Sequence, residues 1–492
     1  MDNRFYFGFN TSEERKKRRK AELYSMSEQV STFFWDEAPQ HGLEMREGQQ
    51  DMSFEIVDAL INDQHFAIEA GVGIGKSFGY LVPVLLYSKR MNKPVIIATS
   101  TIALQEQLWR DVHAVMPLLG LNRDVILAKG QTHYLCNKRA DEYMCDPKAD
   151  PPDALKEGIQ QGYEERKDFP EVLPQGIWDK VNVQRFSMKN CGFCEKKCKY
   201  YKVRAALKFT DGVVLCNQDF LTQHLMKLRR GQEGLINAAA DLLVVDEAHN
   251  LDDKVRSATT ERFGQGMLFG MIKSAFYELR SFDQSSVSGE KREAESAIIA
   301  FYNCLKAQVQ KQINEAEQDM RYADRFFFDN NGSAIELLTE MNAAIHNLSS
   351  SIQIYSSMDF RNSRSFAASD DLDAVSESLS ELLDRIDDML IWIEQHGSNT
   401  ELVYCPKNTK EIVSRLYFNG DERTILTSAT LTNATSGSLE EQYSYFISNT
   451  GFPAGDRGCL SEPKPSPYPY DEHAMIYYCD DLPHPTREHE AF

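Results

Sequence analysis

No uninterrupted apolar run in this 492-residue chain approaches the roughly 18 residues needed to cross a membrane. Nor do the first residues join a charged start to an apolar stretch and a small-residue cleavage site. Both absences exclude a membrane partner and lead us to expect a cytoplasmic protein, where thiols stay reduced. Internal repeats are also lacking, and the Ser-rich tracts near 281–289 and 349–369 read as loops. Basic residues are the scarcer charge, with 54 Lys+Arg against 74 Asp+Glu and a net charge of −20. That deficit is uneven. Residues 1–250 carry 33 basic against 35 acidic side chains, residues 251–492 only 21 against 39. Arg185 to Lys208 holds eight basic residues and the single acid Glu195, so a local positive surface is compatible with the acidic total. The basic cluster Arg15 to Lys20 reads as a solvated helical face.

After Gly42, short β-branched runs alternate with helical stretches: HFAIEA (65–70), PVIIATS (94–100), DVILAK (124–129), GVVLCN (212–217), LLVVDEA (242–248) and RTILTSAT (423–430). Apolar runs without alternation indicate strands buried on both faces, and the helical patterns between them indicate crossovers. The expected fold is a doubly wound α/β domain with a parallel sheet and two long interruptions, about 130–210 and 252–418. The second interruption reads as helix almost throughout. In 369–397 the apolar positions Leu372, Val375, Leu379, Leu382, Ile386, Leu390 and Ile393 predict one amphipathic helix, with Ser369 as N-cap and Gly397 past its end.

The segment EAGVGIGKSFGY follows a predicted strand and opens a helical stretch, the context a phosphate-binding loop requires. Residues Ala70, Gly71, Val72, Gly73, Ile74 and Gly75 would curl backbone N–H groups around phosphate oxygens at a helix N-terminus. Lys76 reaches the β- and γ-phosphates, and Ser77 ligates magnesium. Ala70 stands where the strict pattern has glycine. The strand LLVVDEAHN carries Asp246 and Glu247 to its carboxyl end, where ligands of open α/β sheets sit. Asp246 would hold the metal and Glu247 would polarise the attacking water. Taken alone, such a pair is a strand end meeting solvent. Together with AxxxxGKS it points to nucleoside triphosphate hydrolysis, with ATP and Mg2+ as cofactors.

DEAH at 246–249, ATSTIALQEQL at 98–108 and TILTSATL at 424–431 resemble motifs II, Ia and III of superfamily 2 helicases. With a cysteine-bearing insertion between the second and first of these and a helical one before the third, the chain resembles the XPD/DinG iron-sulfur helicases, and the bacterial DinG branch best. The resemblance spans roughly 40–480. It implies a RecA-like P-loop domain, α/β, interrupted by an iron-sulfur insertion and a helical arch. The divisions are a helical arm (1–41), the first motor domain in three parts (42–129, 211–251 with DEAH, 419–450 with SAT), the iron-sulfur domain (130–210), the arch (252–418) and the start of a second motor domain (451–492). By the same resemblance Arg46 and Gln49 face the adenine, Gln49 reading its edge. Thr99, Thr101 and Gln105 touch the backbone of single-stranded DNA, although hydrogen bonding within their own loop is the alternative. His249 and Ser428, Ala429 and Thr430 couple nucleotide state to strand movement.

The resemblance also singles out Cys136, at the end of GQTHYLC, as the first cluster ligand, with Cys191, Cys194 and Cys198 completing four. Four thiolates suit a [4Fe-4S] cube or a tetrahedral zinc site, and spacing does not separate them; the helicase context favours iron-sulfur. The last three are more tightly spaced than the family's usual pattern, which leaves Cys145 in reserve. Lys199, Tyr200 and Arg204, among other basic and aromatic neighbours, suit backbone tracking and base stacking, with a solvated basic face as the alternative. The chain is thus expected to be an ATP-driven helicase on single-stranded or forked DNA in repair, 5′ to 3′ by resemblance. No QxxGRxxR-like segment follows LTSATL, so an incomplete second motor domain is expected. The competing class is an ATP-gated DNA-binding module. A nuclease reading is weak, because no acidic exonuclease constellation precedes the P-loop.

Overall fold

The computed structural model of the chain describes residues 12–44, 46–169, 173–184, 198–279, 281–315, 324–357, 366–469, 472 and 475. Eleven strands are found among them: β1 His65–Glu69, β2 Val95–Thr99, β3 Val125–Leu127, β4 Val213–Asn217, β5 Leu242–Asp246, β6 Glu261–Gly264, β7 Arg325–Phe327, β8 Met389–His396, β9 Asn399–Pro406, β10 Arg423–Ser428 and β11 Gly458–Leu460. The chain divides into two compact units, residues 1–252 with 413–492, and residues 253–412.

The first unit is built on a seven-stranded parallel sheet in the order β11-β1-β10-β5-β2-β4-β3. Six of these strands fall on the six apolar runs of the sequence; β11 comes from a short GCL run without such a signal. In β2, β4 and β5 nearly every residue is buried, as expected for parallel strands covered on both faces. Helices Glu47–Ile61, Lys76–Met91 and Ile102–Leu118 share one core with the strands. The N-terminal helix Ser12–Thr32 adds Leu23, Met26 and Val30 to that core. Lys17, Arg18 and Lys20 of this helix are exposed, whereas Arg19 pairs with Asp63 at 2.9 Å and donates to the Tyr87 hydroxyl.

Register fixes the site. Glu69 stands beside Ser428 and Thr427 beside Asp246, so the carboxyl ends of β1, β10 and β5 lie side by side at one level. At the opposite end of the sheet, buried His65 accepts from the Thr424 amide on Nδ1 and donates from Nε2 to the Phe418 carbonyl. Burial lowers its pKa to about 4, so it is neutral in the folded chain.

Between β3 and β4 the described residues form four helices, Asn137–Cys145, Asp153–Gln160, Gln175–Val181 and Lys199–Phe209. Leu135, Leu155, Phe169 and Trp178 make a small core of their own. The Trp178 indole N–H donates to the Thr132 carbonyl at 2.7 Å. Charge ties this insertion to the sheet. Lys129, only 3% exposed, pairs with Glu106 at 2.9 Å and Glu165 at 3.0 Å, and Glu165 also takes Lys199 at 2.7 Å.

The second unit departs from an all-helical insertion. Helices Gln265–Glu278, Ser288–Glu315, Gly332–Ser357 and Phe366–Asp384 pack around Phe301, Leu338, Ile345 and Leu379. They are accompanied by an antiparallel sheet, β6-β9-β8-β7. The expected helix over 369–396 is therefore corrected: it runs Phe366–Asp384, Ser369 lies inside it, and Leu390 and Ile393 belong to β8. The segment MLIWIEQH is rich in β-branched and aromatic residues, and eight cross-strand pairs with β9 outweigh the residual helical period. Gly397, with φ of 61°, makes the tight turn between β8 and β9. The Ser-rich tracts are also helical where described, over Ser281–Ser286, from Ser288 onward, and to Ser357. Buried neighbours at helical spacing override serine's preference for loops.

Removing the buried ammonium should test the tie between the sheet and the first insertion. Lys129→Met leaves Glu165 and Glu106 without it and should cost about 3 kcal/mol. In thermal or urea unfolding the midpoint falls, and Glu165→Gln in the same chain restores part of the loss.

Candidate nucleotide site

The loop after β1 turns on two glycines in the left-handed region, Gly73 at φ 90° and Gly75 at φ 88°, and Gly75 caps the helix Lys76–Met91. Backbone N–H groups at that helix start face the carboxyl edge of the sheet, the arrangement that binds phosphate. Ala70 is buried and has no positive φ, which explains why alanine serves there: the position continues β1 and needs no glycine conformation. The Gln49 side chain donates to the Gly75 carbonyl at 2.9 Å. A Cβ on Gly75 would lie 2.4 Å from that same amide nitrogen. Gln49 thus braces the loop; its Nε2 is spent on the loop and its Oε1 is left for other contacts.

The acidic half of the site hangs on Glu247, whose φ of 55° is left-handed although it is not glycine. That turn directs its carboxylate back toward the loop. Lys76 Nζ donates to Glu247 Oε1 at 2.8 Å and lies 4.0 Å from Asp246 Oδ1. Burial pushes the Asp246 carboxyl up to about 6, against the pull of the Lys76 ammonium, and the like charge of Glu247 adds to the rise. The Gln218 side chain donates to the carbonyls of Asp246 and Glu247 at 2.7 and 3.1 Å, holding this strained turn. The hydroxyl of Ser428, at the end of β10, donates to Glu247 Oε2 at 3.3 Å, and His249 Nδ1 stands 2.6 Å from that hydroxyl. His249 Nδ1 also lies 3.4 Å from Glu247 Oε2. Lys76, Asp246, Glu247, His249 and Ser428 therefore form one connected cluster. The buried Asp246 carboxylate and a hydroxyl such as that of Ser77 are oxygen ligands of the kind a hard divalent cation takes, and the carboxyl that meets the Ser77 hydroxyl is that of Asp111.

Three residues of this site carried no assignment in the sequence. Glu69 accepts from the amides of Leu431 and Thr432, both at 2.6 Å, and from the Thr432 hydroxyl at 2.8 Å. It fastens the loop after SAT to the strand before the P-loop. Its only signal is an acid ending an apolar strand, one residue ahead of the loop. Gln218 opens the helix after β4 and had no signal. Asp111, in the helix Ile102–Leu118, sits half-buried beside the Ser77 hydroxyl; burial raises its pKa and Ser77 lowers it.

The remaining candidates lie elsewhere. Thr99 is fully buried at the end of β2, with its hydroxyl unpartnered. Thr101 caps the helix Ile102–Leu118, accepting from the Leu104 amide at 3.2 Å. Gln105 is buried and donates to the carbonyls of Ala128 and Leu215; in this structure it joins the ends of β3 and β4. Tyr200 is buried against Tyr134, with ring centroids 5.1 Å apart, Arg204 donates to the Leu235 carbonyl, and Lys199 is paired with Glu165. The helix Lys199–Phe209 turns Tyr200, Arg204 and Leu207 inward, so Tyr200 and Arg204 serve the fold where the sequence suggested a surface. Cys136 and Cys198 come together in one small apolar cluster with Tyr134 and Tyr200. Cys145 is exposed. Cys191 and Cys194 lie outside the described residues, and among the described residues no group of three metal-ligating side chains forms.

A parallel sheet with a glycine loop after β1, acidic residues at the end of β5 and Ser428 at the end of the intervening β10 is the architecture of a RecA-like helicase domain. The DEAD_2 family profile matches residues 132–266. The chain is 24% identical over 479 residues to the probable ATP-dependent helicase YpvA of Bacillus subtilis, covering 91% of this chain and 69% of that protein. It is 25% identical to the 3′-5′ exonuclease DinG of Bacillus subtilis, over 88% of this chain and 50% of that one. With the ATP-dependent helicase DinG of Mycobacterium tuberculosis it shares 30% identity over 242 residues, 43% of this chain and 35% of that protein. Over most of its length the chain is thus similar to helicases of the DinG and YpvA type, and it spans about half the length of DinG of Bacillus subtilis.

Gly75→Ala tests the loop. The substitution forces a left-handed alanine, at about 1–2 kcal/mol, and displaces Gln49. Nucleotide affinity in calorimetry should fall at least about tenfold, while the melting temperature drops by only a few degrees.

Proposed function

We propose that this chain is the ATP-hydrolysing part of a DNA helicase of DinG type, driving movement along single-stranded DNA, 5′ to 3′, in repair or replication-associated processing. The observation that carries the reading is the cluster joining Lys76, Asp246, Glu247, His249 and Ser428 across three adjacent strand ends. The relatives' names, which include ATP-dependent helicases, support it.

In this reading the arriving triphosphate replaces Glu247 as the partner of Lys76. Glu247, released from the ion pair, accepts a proton from the attacking water. Ser77 and Asp246 would hold magnesium, which neutralises charge on the transferring phosphoryl group. Ser428 and His249 sense the change at Glu247, because the Ser428 hydroxyl bonds directly to it. Glu69 passes a shift of the P-loop strand to the backbone of Leu431 and Thr432. Single-stranded or forked DNA is the proposed partner, with exposed Thr101 at the mouth of β2 as a candidate contact.

The thiol set Cys136, Cys191, Cys194 and Cys198 is proposed to hold a [4Fe-4S] cluster. The meeting of Cys136 and Cys198 beside two buried tyrosines supports this, since an apolar shell shields such a cluster from solvent. A reducing, cytoplasmic setting belongs to the same reading.

DNA-stimulated ATP hydrolysis is the direct test. Glu247→Gln should keep ATP binding and lose hydrolysis by at least about 100-fold, whereas Lys76→Ala should lose both. Hydrolysis unchanged in Glu247→Gln would overturn the assignment. For the cluster, anaerobic purification should give a brown protein with about four iron atoms per chain, from the stoichiometry of a cubane. A colourless protein with one zinc would replace iron-sulfur by a structural zinc site.

A further inference from the structure

Beyond β11 the chain continues alongside the phosphate loop. The Lys464 amide donates to the Glu69 carbonyl at 2.9 Å, and the Gly71 amide donates to the Lys464 carbonyl at 2.9 Å. Two residues on, the Ser466 hydroxyl donates to the Val72 carbonyl at 2.7 Å. Lys464 Nζ pairs with Glu55 at 2.7 Å, which pins the segment to the helix Glu47–Ile61. Lys464 and Ser466 therefore tie the segment 462–469 to the backbone of the loop.

Contact with the loop is close enough to restrict its sequence. A Cβ on Gly71 would come within 2.7 Å of the Ser466 amide nitrogen. On Gly73 it would meet the Tyr468 ring, 2.1 Å from one ring carbon and below 3 Å from two more. The ring of Tyr468 thus rests on the middle glycine of the phosphate cradle. It does so while 49% exposed, next to Val72, which is 60% exposed. Gly48, at the start of the helix carrying Gln49, lies on the same side, in contact range of Lys464 and Ile74.

A triphosphate held on the amides of Gly73 to Ser77 directs its nucleoside out of the cradle, and a purine needs a flat apolar face to leave water. Exposed apolar surface at a phosphate loop is the feature such a base would cover. We infer that Tyr468 is a nucleoside-binding residue, its ring supplying the face against which the base of the bound nucleotide packs, with Val72 at its margin. The inference rests on the nucleotide-site reading above and extends it to a residue outside every motif of the sequence.

Calorimetry on the full chain distinguishes base contact from loop support, using ADP and inorganic tripolyphosphate as probes. Tyr468→Ala should weaken ADP binding roughly tenfold, as expected for a lost base–aromatic stack, and leave tripolyphosphate binding as in the unaltered chain. Tyr468→Phe should restore ADP affinity. Unchanged ADP affinity in Tyr468→Ala overturns the inference, and so does an equal loss for both probes, which would mean that the ring only supports the loop. An unaltered chain that binds neither probe would overturn the nucleotide-site reading, and this inference with it.

Discussion

The site depends on one carboxylate held in a conformation that its residue type disfavours. Glu247 sits in the left-handed region at the end of β5, and a β-region or right-handed backbone there would direct its side chain away from Lys76. Non-glycine residues pay of order 1 kcal/mol for this conformation. The cost is met locally: Gln218 donates to the carbonyls of Asp246 and Glu247, and the Glu247 amide donates to the Asp246 carboxylate at 3.1 Å. Glu247 is then placed to touch Lys76 on one side and Ser428 on the other. Three strands that are distant in sequence become one electrostatic unit through this side chain.

The ion pair between Lys76 and Glu247 also sets what the site can respond to. Both side chains are largely buried, so the ammonium cannot lose its carboxylate without gaining another anion. A phosphate group is such an anion, and in the proposed mechanism its arrival would free Glu247 at the moment a base is needed. The same exchange alters the hydrogen bond to Ser428, one residue before the loop that Glu69 fastens. In the proposed mechanism chemistry and movement would be coupled through these hydrogen bonds, without a long relay.

The local half of this arrangement was legible in the sequence. Six apolar runs fell on six parallel strands, because strands buried on both faces need no register or partner to be recognised. AxxxxGKS and DEAH were legible for a related reason: phosphate and metal chemistry admits few residue types at few spacings. Where tertiary pairing decided, reading failed. Leu390 and Ile393 kept a helical period with the residues before them, but pairing with β9 drew them into β8. Lys199, Tyr200 and Arg204 looked like a surface because they are basic and aromatic. Their partners Glu165, Tyr134 and Leu235 lie more than thirty residues away in sequence and are invisible to local pattern.

Glu69 and Gln218 mark a second kind of illegibility. Each acts on backbone atoms of another strand's loop, so what matters is where the main chain runs, which side-chain identity at the partner does not record. Gln218 supports Asp246 and Glu247 through their carbonyls, and any residue pair with the same backbone would be supported equally. The same holds for the segment 462–469, whose hold on the P-loop is carried by the amides and carbonyls of Glu69, Gly71, Val72 and Lys464. Glycine is consequently required twice over at 73 and once at 71. At 73 the phosphate cradle needs the left-handed backbone, and at both positions the neighbouring segment fills the space a side chain would take. A motif usually read as a demand of the ligand is here also a demand of the chain that packs against it.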